Sequence, residues 1–410
     1  MTEVASIQFV PAEIHDLDAE QAVATLIDHV VALPASDLFF AAEEDSVHIA
    51  VRHLGVVRQV TTLSPEQGKR MIGHIKALAG MDLTERRHPS DGRWIHIQPD
   101  GHKVDLRISS LPTLYGEDLS IRLLERDSNL RTLDGVGLAR HEYNQLMNLL
   151  ASPSGLVLVT GPTGSGKTTT LYACIQYLNN GRRKINTIED PVEYAVAGVR
   201  QSQVNPRFNL DFPEMLRGVL RQAPDVIMIG EIRDSVTADT AVRAANSGHL
   251  VFATLHAPVA SSAVASMLAL GVKPHFFASS LLGVLSQRLV RTLCPHCKVG
   301  YDLSDAPHTF EAVRPWLEPS QGQQMFSVKG CDRCFQDGYA GRTAVYEMLC
   351  ITRETRRLIA EGANPRDIEQ QAIQDGMIEF RRSSLLKVAQ GVTSIEEVLR
   401  AVPTEYLGLD

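Results

Sequence analysis

The chain of 410 residues has no excess of positive charge. Its formal net charge is −8, with 40 basic and 48 acidic side chains. A global basic field that would draw in nucleic acid is therefore absent. It also has no long hydrophobic run. No apolar stretch approaches the length needed to span a bilayer. The N-terminus lacks a basic segment followed by an apolar one, so no secretion leader is expected. Low-complexity tracts and fixed-period repeats are missing too. Cysteine is scarce, at six residues, and with no leader the thiols point to a reducing compartment, where paired cysteines hold metal rather than form disulfides. What remains is a soluble intracellular protein of two to four domains. Its 44% hydrophobic content is enough for substantial cores.

The informative stretch is Gly155–Thr170, which reads as a strand, a glycine-rich turn and a helix start. Within it, Gly161, Pro162, Thr163, Gly164, Ser165, Gly166, Lys167 and Thr168 spell G-x-x-x-x-G-K-T, with Thr169 following. Backbone N–H groups of such a turn wrap a polyphosphate, and the helix behind it turns its positive end to the same anion. Lys167 supplies a charge for the β- and γ-phosphates, and the Thr168 hydroxyl is suited to Mg²⁺. The apolar run Leu156–Val159 just before the turn argues against a chance glycine loop.

Before this stretch, residues 1–128 read as a small α+β domain with a short leading segment. Helical patterns cover 18–33 and 65–79, and strands are expected at 46–51, 56–60, 94–97, 103–108 and 119–123. Arg107 and Arg122 fall on two of these strands, where a solvated strand charge is the simplest assignment. Residues 129–140 read as a linker, its polar part beginning at Arg126. From 141 to 292, a helix over 141–150 and the P-loop segment lead into strands at 185–188, 226–229 and 250–254, which alternate with helices. That order suggests a parallel sheet with ligands at the strand C-terminal ends. Each of those ends is polar: Glu189 to Glu193 after the first, Gly230-Glu231 after the second, Leu255-His256 after the third. Glu231 suits a Mg²⁺ shell. Glu193 or Glu189 suits activation of water, and His256 suits sensing of a γ-phosphate.

Two C-x-x-C pairs follow, Cys294/Cys297 and Cys331/Cys334. Four thiolates on two tight turns make a closed tetrahedral Zn²⁺ site, with an Fe–S centre or a redox pair as the other options. A helix is expected over 307–317 between the pairs, and Cys174 and Cys350 are expected as buried core thiols. Residues 293–345 thus form a zinc-binding subdomain. Residues 346–410 form a helical one, with helices over 352–361, 365–374, 380–389 and 394–402, and with N-caps at Asn364 and Thr393.

At these residues the sequence resembles the motor ATPases of type II secretion and type IV pilus systems. Gly155–Thr170 resembles the family's Walker A segment, and Thr187–Tyr194 its aspartate box. Leu216–Asp234 resembles its Walker B segment, Ser247–His256 its histidine box, and Gln287–Arg291 the lead into its cysteine pairs. The likeness reaches back to Arg107–Glu117 and forward to Gly391–Val398. It implies an α/β fold: a RecA-like P-loop core with an N-terminal α+β (PAS-like) domain, a tetracysteine insertion and a C-terminal helical region. It implies ATP, Mg²⁺ and Zn²⁺ as ligands and a homo-hexameric ring. It assigns Glu193 to water activation, Glu231 to the Mg²⁺ shell, and Arg107 and Arg122 to the phosphates. Arg217 and Arg221 also match family positions, with a structural ion pair as the other option. The implied work is assembly of pilin or pseudopilin filaments from the cytoplasmic side of the inner membrane, through a platform protein and an anchoring partner. A retraction motor and an ATP-binding scaffold without turnover are the rivals. Two departures stand out. The family's Ala-Ser-Asp-Ile-His motif is here Ala35-Ser-Asp-Leu-Phe39, and only about 35 residues precede it, so the docking extension of many members is expected to be missing.

Overall fold

The computed structural model describes residues 12–33, 35–125 and 131–409. Positions 126–130 of the expected linker lie outside the described residues. The chain divides into two compact units, one covering Met1–Asn129 with Gly330–Gly341, the other Leu130–Lys329 with Arg342–Asp410. No helix among the described residues is long and apolar enough to cross a membrane.

In the first unit, α1 (Ala19–Ala32) is followed by three strands, β1 (Ala35–Ala42), β2 (Val47–His53) and β3 (Val56–Leu63). Then come α2 (Pro65–Leu78), β4 (Ser90–Ile97), β5 (Lys103–Pro112) and β6 (Glu117–Glu125). Asp18 and Ser64 start the two helices by accepting N–H bonds three residues on. The strands form one sheet in the order β3-β2-β1-β6-β5-β4. Strict alternation in β2 puts Val47, Ile49 and Val51 into a core shared with Leu26, Val30, Met71 and Ile75 of the helices. The other face carries charge. Register pairs Arg52 with Asp37, Asp37 with Arg122, Arg122 with Arg107, and Arg107 with Arg93. The row runs across five strands.

The altered motif at 35–39 was not expected to be a strand, yet it forms β1 and holds that row together. Asp37, 7% exposed, accepts from Arg122 Nε and faces Arg52 Nε, each at 3.3 Å. The Phe39 ring lies 5.4 Å from the Arg52 guanidinium, so the position where the family has a histidine contributes a stacking face. Within the same unit, Asp337 is bonded by Arg58 and lies 3.6 Å from His53.

The second unit opens with α3 (Arg140–Leu150), β7 (Gly155–Thr160), α4 (Lys167–Leu178), β8 (Ile185–Glu189) and β9 (Arg200–Gln203). It continues through α5 (Phe212–Leu220), β10 (Val226–Ile229), α6 (Ser235–Asn246) and β11 (Leu250–Leu255). Next are α7 (Ala260–Ala269), α8 (Pro274–Ser280), β12 (Leu281–Leu293), β13 (Val299–Asp302), β14 (Gln324–Ser327) and β15 (Tyr339–Cys350). Helices α9 (Arg353–Glu361), α10 (Pro365–Gln374), α11 (Phe380–Ala389) and α12 (Ile395–Ala401) complete it.

The large sheet runs β15-β12-β7-β11-β10-β8-β9, and β12, β7, β11, β10, β8 and β9 are mutually parallel. Every residue of β7, β8, β10 and β11 is buried. The two faces feed separate cores. Leu156 and Leu158 pack with Ala241, Val264 and Phe277, whereas Val157 and Val159 pack with Leu146, Leu171 and Tyr346. Burial on both faces is why these strands read as unbroken apolar runs.

Two expectations are corrected in this unit, and two strands are added. The helix over 307–317 is a 3₁₀ stretch, Glu311–Trp316, in which Pro315 lacks the N–H an α-helix needs. The last N-cap is Ser394, which accepts from Glu397 N, and the Thr393 hydroxyl instead donates to Arg291 O at 2.7 Å. Strands β12 and β15 carry no assignment in the sequence reading.

The Glu397 carboxylate joins α12 to β12. It is fully buried and accepts from Arg291 N, Arg291 Nε at 2.8 Å, and both Arg400 Nε and a terminal nitrogen. Burial pushes its pKa up, but the bonds from Arg400 and Arg291 outweigh this and the net direction is down from 4.5. The pair therefore stabilises the fold above that pH, and the contribution fades as pH falls below it. Glu397→Ala leaves Arg291 buried without its counter-charge and is expected to cost about 3–5 kcal/mol. Chemical denaturation of this variant and the wild type reads the loss, and a cost under about 1 kcal/mol would mean that the bridge does not hold α12 in place.

Candidate nucleotide site

Strand β7 ends at Thr160, whose single hydroxyl proton is shared between Leu255 O at 2.8 Å and Ala257 O at 2.9 Å, and whose oxygen accepts from Ala257 N. This ties the exit of β11 to the exit of β7 and fixes where His256 leaves the sheet. Register places Ile188, Ile229 and Ala253 side by side, so Glu189, Gly230 and Thr254 share the next level, with β11 and β7 running on to Leu255 and Thr160. Ile232 N bonds Thr254 O at 2.9 Å, and the Thr254 hydroxyl bonds Gly230 O. The polar strand ends thus form one stitched rim.

The P-loop leaves that rim. Gly161, Gly164 and Gly166 have φ of 140°, 76° and 89°. Gly166 is left-handed at the start of α4, a conformation that side chains resist. Gly161 has a second constraint, since a Cβ there would lie 2.3 Å from Gln287 O. Lys167 Nζ folds back and donates to the carbonyls of Gly161 at 2.9 Å and Pro162 at 3.0 Å. Burial pushes its pKa down, while the charge of Glu231 pulls it up. Thr168 and Thr169 are exposed at the first turn of α4.

Glu231, half-enclosed at the end of β10, is held on both oxygens. His256 Nε2 lies 3.0 Å from Oε1, and Arg233 Nε donates to Oε2 at 2.7 Å. Arg233 also reaches Asp190 at 3.9 Å. Lys167, Glu231 and His256, expected from three separate segments, are thus gathered at one rim. The sequence reading did not single out Arg233, although it sits within Leu216–Asp234.

The two acids left open in the aspartate box are distinct in the structure. Glu189 is 3% exposed and its carboxylate is spent on neighbours. Thr187 Oγ1 donates to it at 2.5 Å and Gln201 Nε2 at 3.2 Å, and the Tyr172 hydroxyl of α4 donates to its other oxygen. That hydroxyl also accepts from Glu193 N at 3.4 Å, and the Tyr172 ring meets Tyr194 edge-on at 4.5 Å. Burial, then the Glu189 bond, push the Tyr172 pKa far up, which keeps it a donor. Tyr172 therefore joins the P-loop helix to the segment carrying Glu193. Nothing in the sequence marked it beyond an aromatic in an apolar helix.

Arg107 and Arg122 belong to the charged row of the first unit, where Asp37 orients Arg122. Arg217 pairs with Glu214 at 2.6 Å on the surface of α5. Arg221 lines an open cleft of about 480 Å³ with Lys184 and Arg200.

The thiols of Cys294, Cys297, Cys331 and Cys334 lie within 4.8 Å of one another. A tetrahedral site with 2.3 Å bonds needs sulfurs about 3.8 Å apart, so the set fits Zn²⁺. Cys331 N and Gly338 N both point at Cys334 Sγ, each at 3.2 Å, as thiolate donors do. Cys174 is fully enclosed and its thiol is pushed up to about 12 by burial; Cys350 is only half-buried and is pushed to about 11. Both stay protonated.

A family model described as "Type II/IV secretion system protein" matches residues 15–400. The chain belongs to that family. The type II secretion system protein E of Dickeya dadantii (strain 3937) is 41% identical over 90% of this chain and 73% of its own. The type II secretion system ATPase E of Vibrio cholerae is 41% identical over 89% and 72%. The type IV pilus assembly ATPase PilB of Thermus thermophilus is 38% identical over 95% of this chain and 43% of its own length. Among solved structures, the Legionella pneumophila ATPase DotB superposes with a TM-score of 0.66 at 20% identity, over 92% of this chain and 94% of that one. The pilus retraction motor PilT with ADP superposes at 0.61 and 24%, over 92% and 96%. At such identities these two attest the fold, which is α/β as the P-loop pattern implied.

Tyr172→Phe removes a donor from the buried Glu189 and frees the Glu193 segment. It is expected to cost about 1–3 kcal/mol. Urea unfolding measures this, and an unchanged curve would show that Thr187 and Gln201 suffice for Glu189.

Proposed function

We propose that this chain is a motor ATPase that works as a homo-hexamer and drives assembly of pilin or pseudopilin filaments in a type II secretion or type IV pilus system. The carrying observation is the convergence of Lys167, Glu231 and His256 on the P-loop rim. Family membership and relatives named as secretion and pilus assembly ATPases support it.

The chemistry asked of the site is phosphoryl transfer to water, in which catalysis is positioning plus charge stabilisation. The backbone N–H groups of the Gly161–Thr169 loop, Pro162 excepted, bind the phosphates, and Lys167 turns from two carbonyls to the β/γ-oxygens. Thr168 and Glu231 would hold Mg²⁺, which when bound neutralises charge on those oxygens. Glu193 orients and deprotonates the attacking water, since Glu189 has no oxygen to spare. His256 reads the γ-phosphate through its contact with Glu231. Arg107 and Arg122 supply positive charge to the phosphates and couple hydrolysis to motion of the first unit. Cys294, Cys297, Cys331 and Cys334 would hold a structural Zn²⁺. The reading places the ring at the cytoplasmic face of the inner membrane, held by a platform protein and an anchoring partner, with no role for nucleic acid.

ATPase rate against protein concentration, with size measured in parallel, tests this. Activity is expected to rise as a ring of about six subunits forms, and Lys167→Ala or Glu231→Gln to lose at least about a hundredfold in turnover. Arg107→Ala is expected to lose turnover without loss of folding. Full activity in a monomer, or wild-type turnover in Lys167→Ala, would refute the reading.

Elemental analysis of the purified chain is expected to find about one zinc, lost in Cys331→Ser. A folded, metal-free wild type would rule the metal out.

A further inference from the structure

Strand β12 pairs with β7 from Leu281 to Ser286 and then continues past the end of β7 to Leu293. Its first residue beyond the pairing is Gln287, which is 1% exposed. The Gln287 side chain reaches the back of the P-loop, where Nε2 donates to Ser165 O at 2.7 Å. Its backbone carbonyl fills the place a Cβ on Gly161 would take, and Nε2 lies 3.2 Å from where a Cβ on Gly166 would be. Two of the loop's glycines are thus pressed against one residue of the next strand.

The bond has a directional consequence. The Ser165–Gly166 peptide is trans, so its C=O and its N–H point in opposite directions. Anchoring the carbonyl on β12 turns the Gly166 N–H away from β12, toward the open side of the loop. We infer that Gln287 is a positioning residue for the phosphate cradle: its side-chain amide sets the Ser165–Gly166 peptide so that the N–H is aimed before nucleotide arrives. This rests on the ATPase reading given above.

Two further atoms fit this role. Gln287 Oε1 and Ser165 Oγ are buried and have no hydrogen-bond partner among the described residues. Leaving a buried amide oxygen unbonded is unfavourable, so the Nε2 bond to Ser165 O has to offset that cost as well as hold the amide in place. The one bond made is the one that orients the peptide.

The test is affinity for a fluorescent ADP analogue, with kcat and KM for ATP and a thermal melt of nucleotide-free protein. Gln287→Met keeps length and removes the amide. It is expected to weaken the analogue about tenfold and raise KM in step, while the melt stays within about 3 °C. Gln287→His places an Nε2–H at nearly the same reach and is expected to recover affinity to within about threefold. Gln287→Glu repeats the test where methionine is not tolerated, as it keeps the size and trades the donor for an acceptor. An unchanged Kd in Gln287→Met, a histidine variant as weak as methionine, or a melt that drops while Kd holds would each overturn the inference. A wild type that binds no analogue would instead overturn the ATPase reading.

Discussion

The constraint on which the large unit depends is that four strands, buried on both faces, end within two residues of one another in register. Their backbone groups are satisfied by neighbours along their length, but at the C-terminal ends the ladder runs out. Thr160 and Thr254 take up carbonyls there with side-chain hydroxyls. The chain then leaves the sheet at defined points rather than along a loose loop. Lys167, Glu231 and His256 all hang from those points. Loosening the rim would misplace Lys167, Glu231 and His256 together.

The P-loop and the strand–helix alternation were legible because their signals are local: glycine where φ is positive, apolar runs where both faces are covered. The C-terminal helices were legible from caps and periodicity, Asn364-Pro365 most clearly. Strands β1 and β12 were harder. Ala35–Ala42 mixes Asp37 into an alanine-rich run, and Leu281–Leu293 carries Gly283, Gln287 and Arg288, so neither shows a clean period. Their partners supply the explanation: Asp37 answers Arg52 and Arg122, and Gln287 answers the P-loop. The residues alone left Glu189 and Glu193 equivalent, and only the resemblance implied Glu193; the structure gives the two acids different surroundings. That difference is set by Tyr172, 17 positions from Glu189 and 21 from Glu193 in the chain but adjacent in the fold.

In the small unit, like charges on adjacent strands oppose folding, since Arg107 faces both Arg93 and Arg122. The sheet tolerates the row because Asp105 holds Arg93 and Asp37 holds Arg122 and Arg52. What is left is an array of cations with their stems fixed.

Lys167 rests on two carbonyls of its own loop, and Glu231 is held between a histidine and an arginine. The site is therefore its own competitor. An incoming anion must draw Lys167 off its two carbonyls and compete with the Glu231 carboxylate for the groups around it. On the proposed reading, a chain of phosphates, which can engage several of these groups at once, gains more from breaking this self-occupation than a single free ion does.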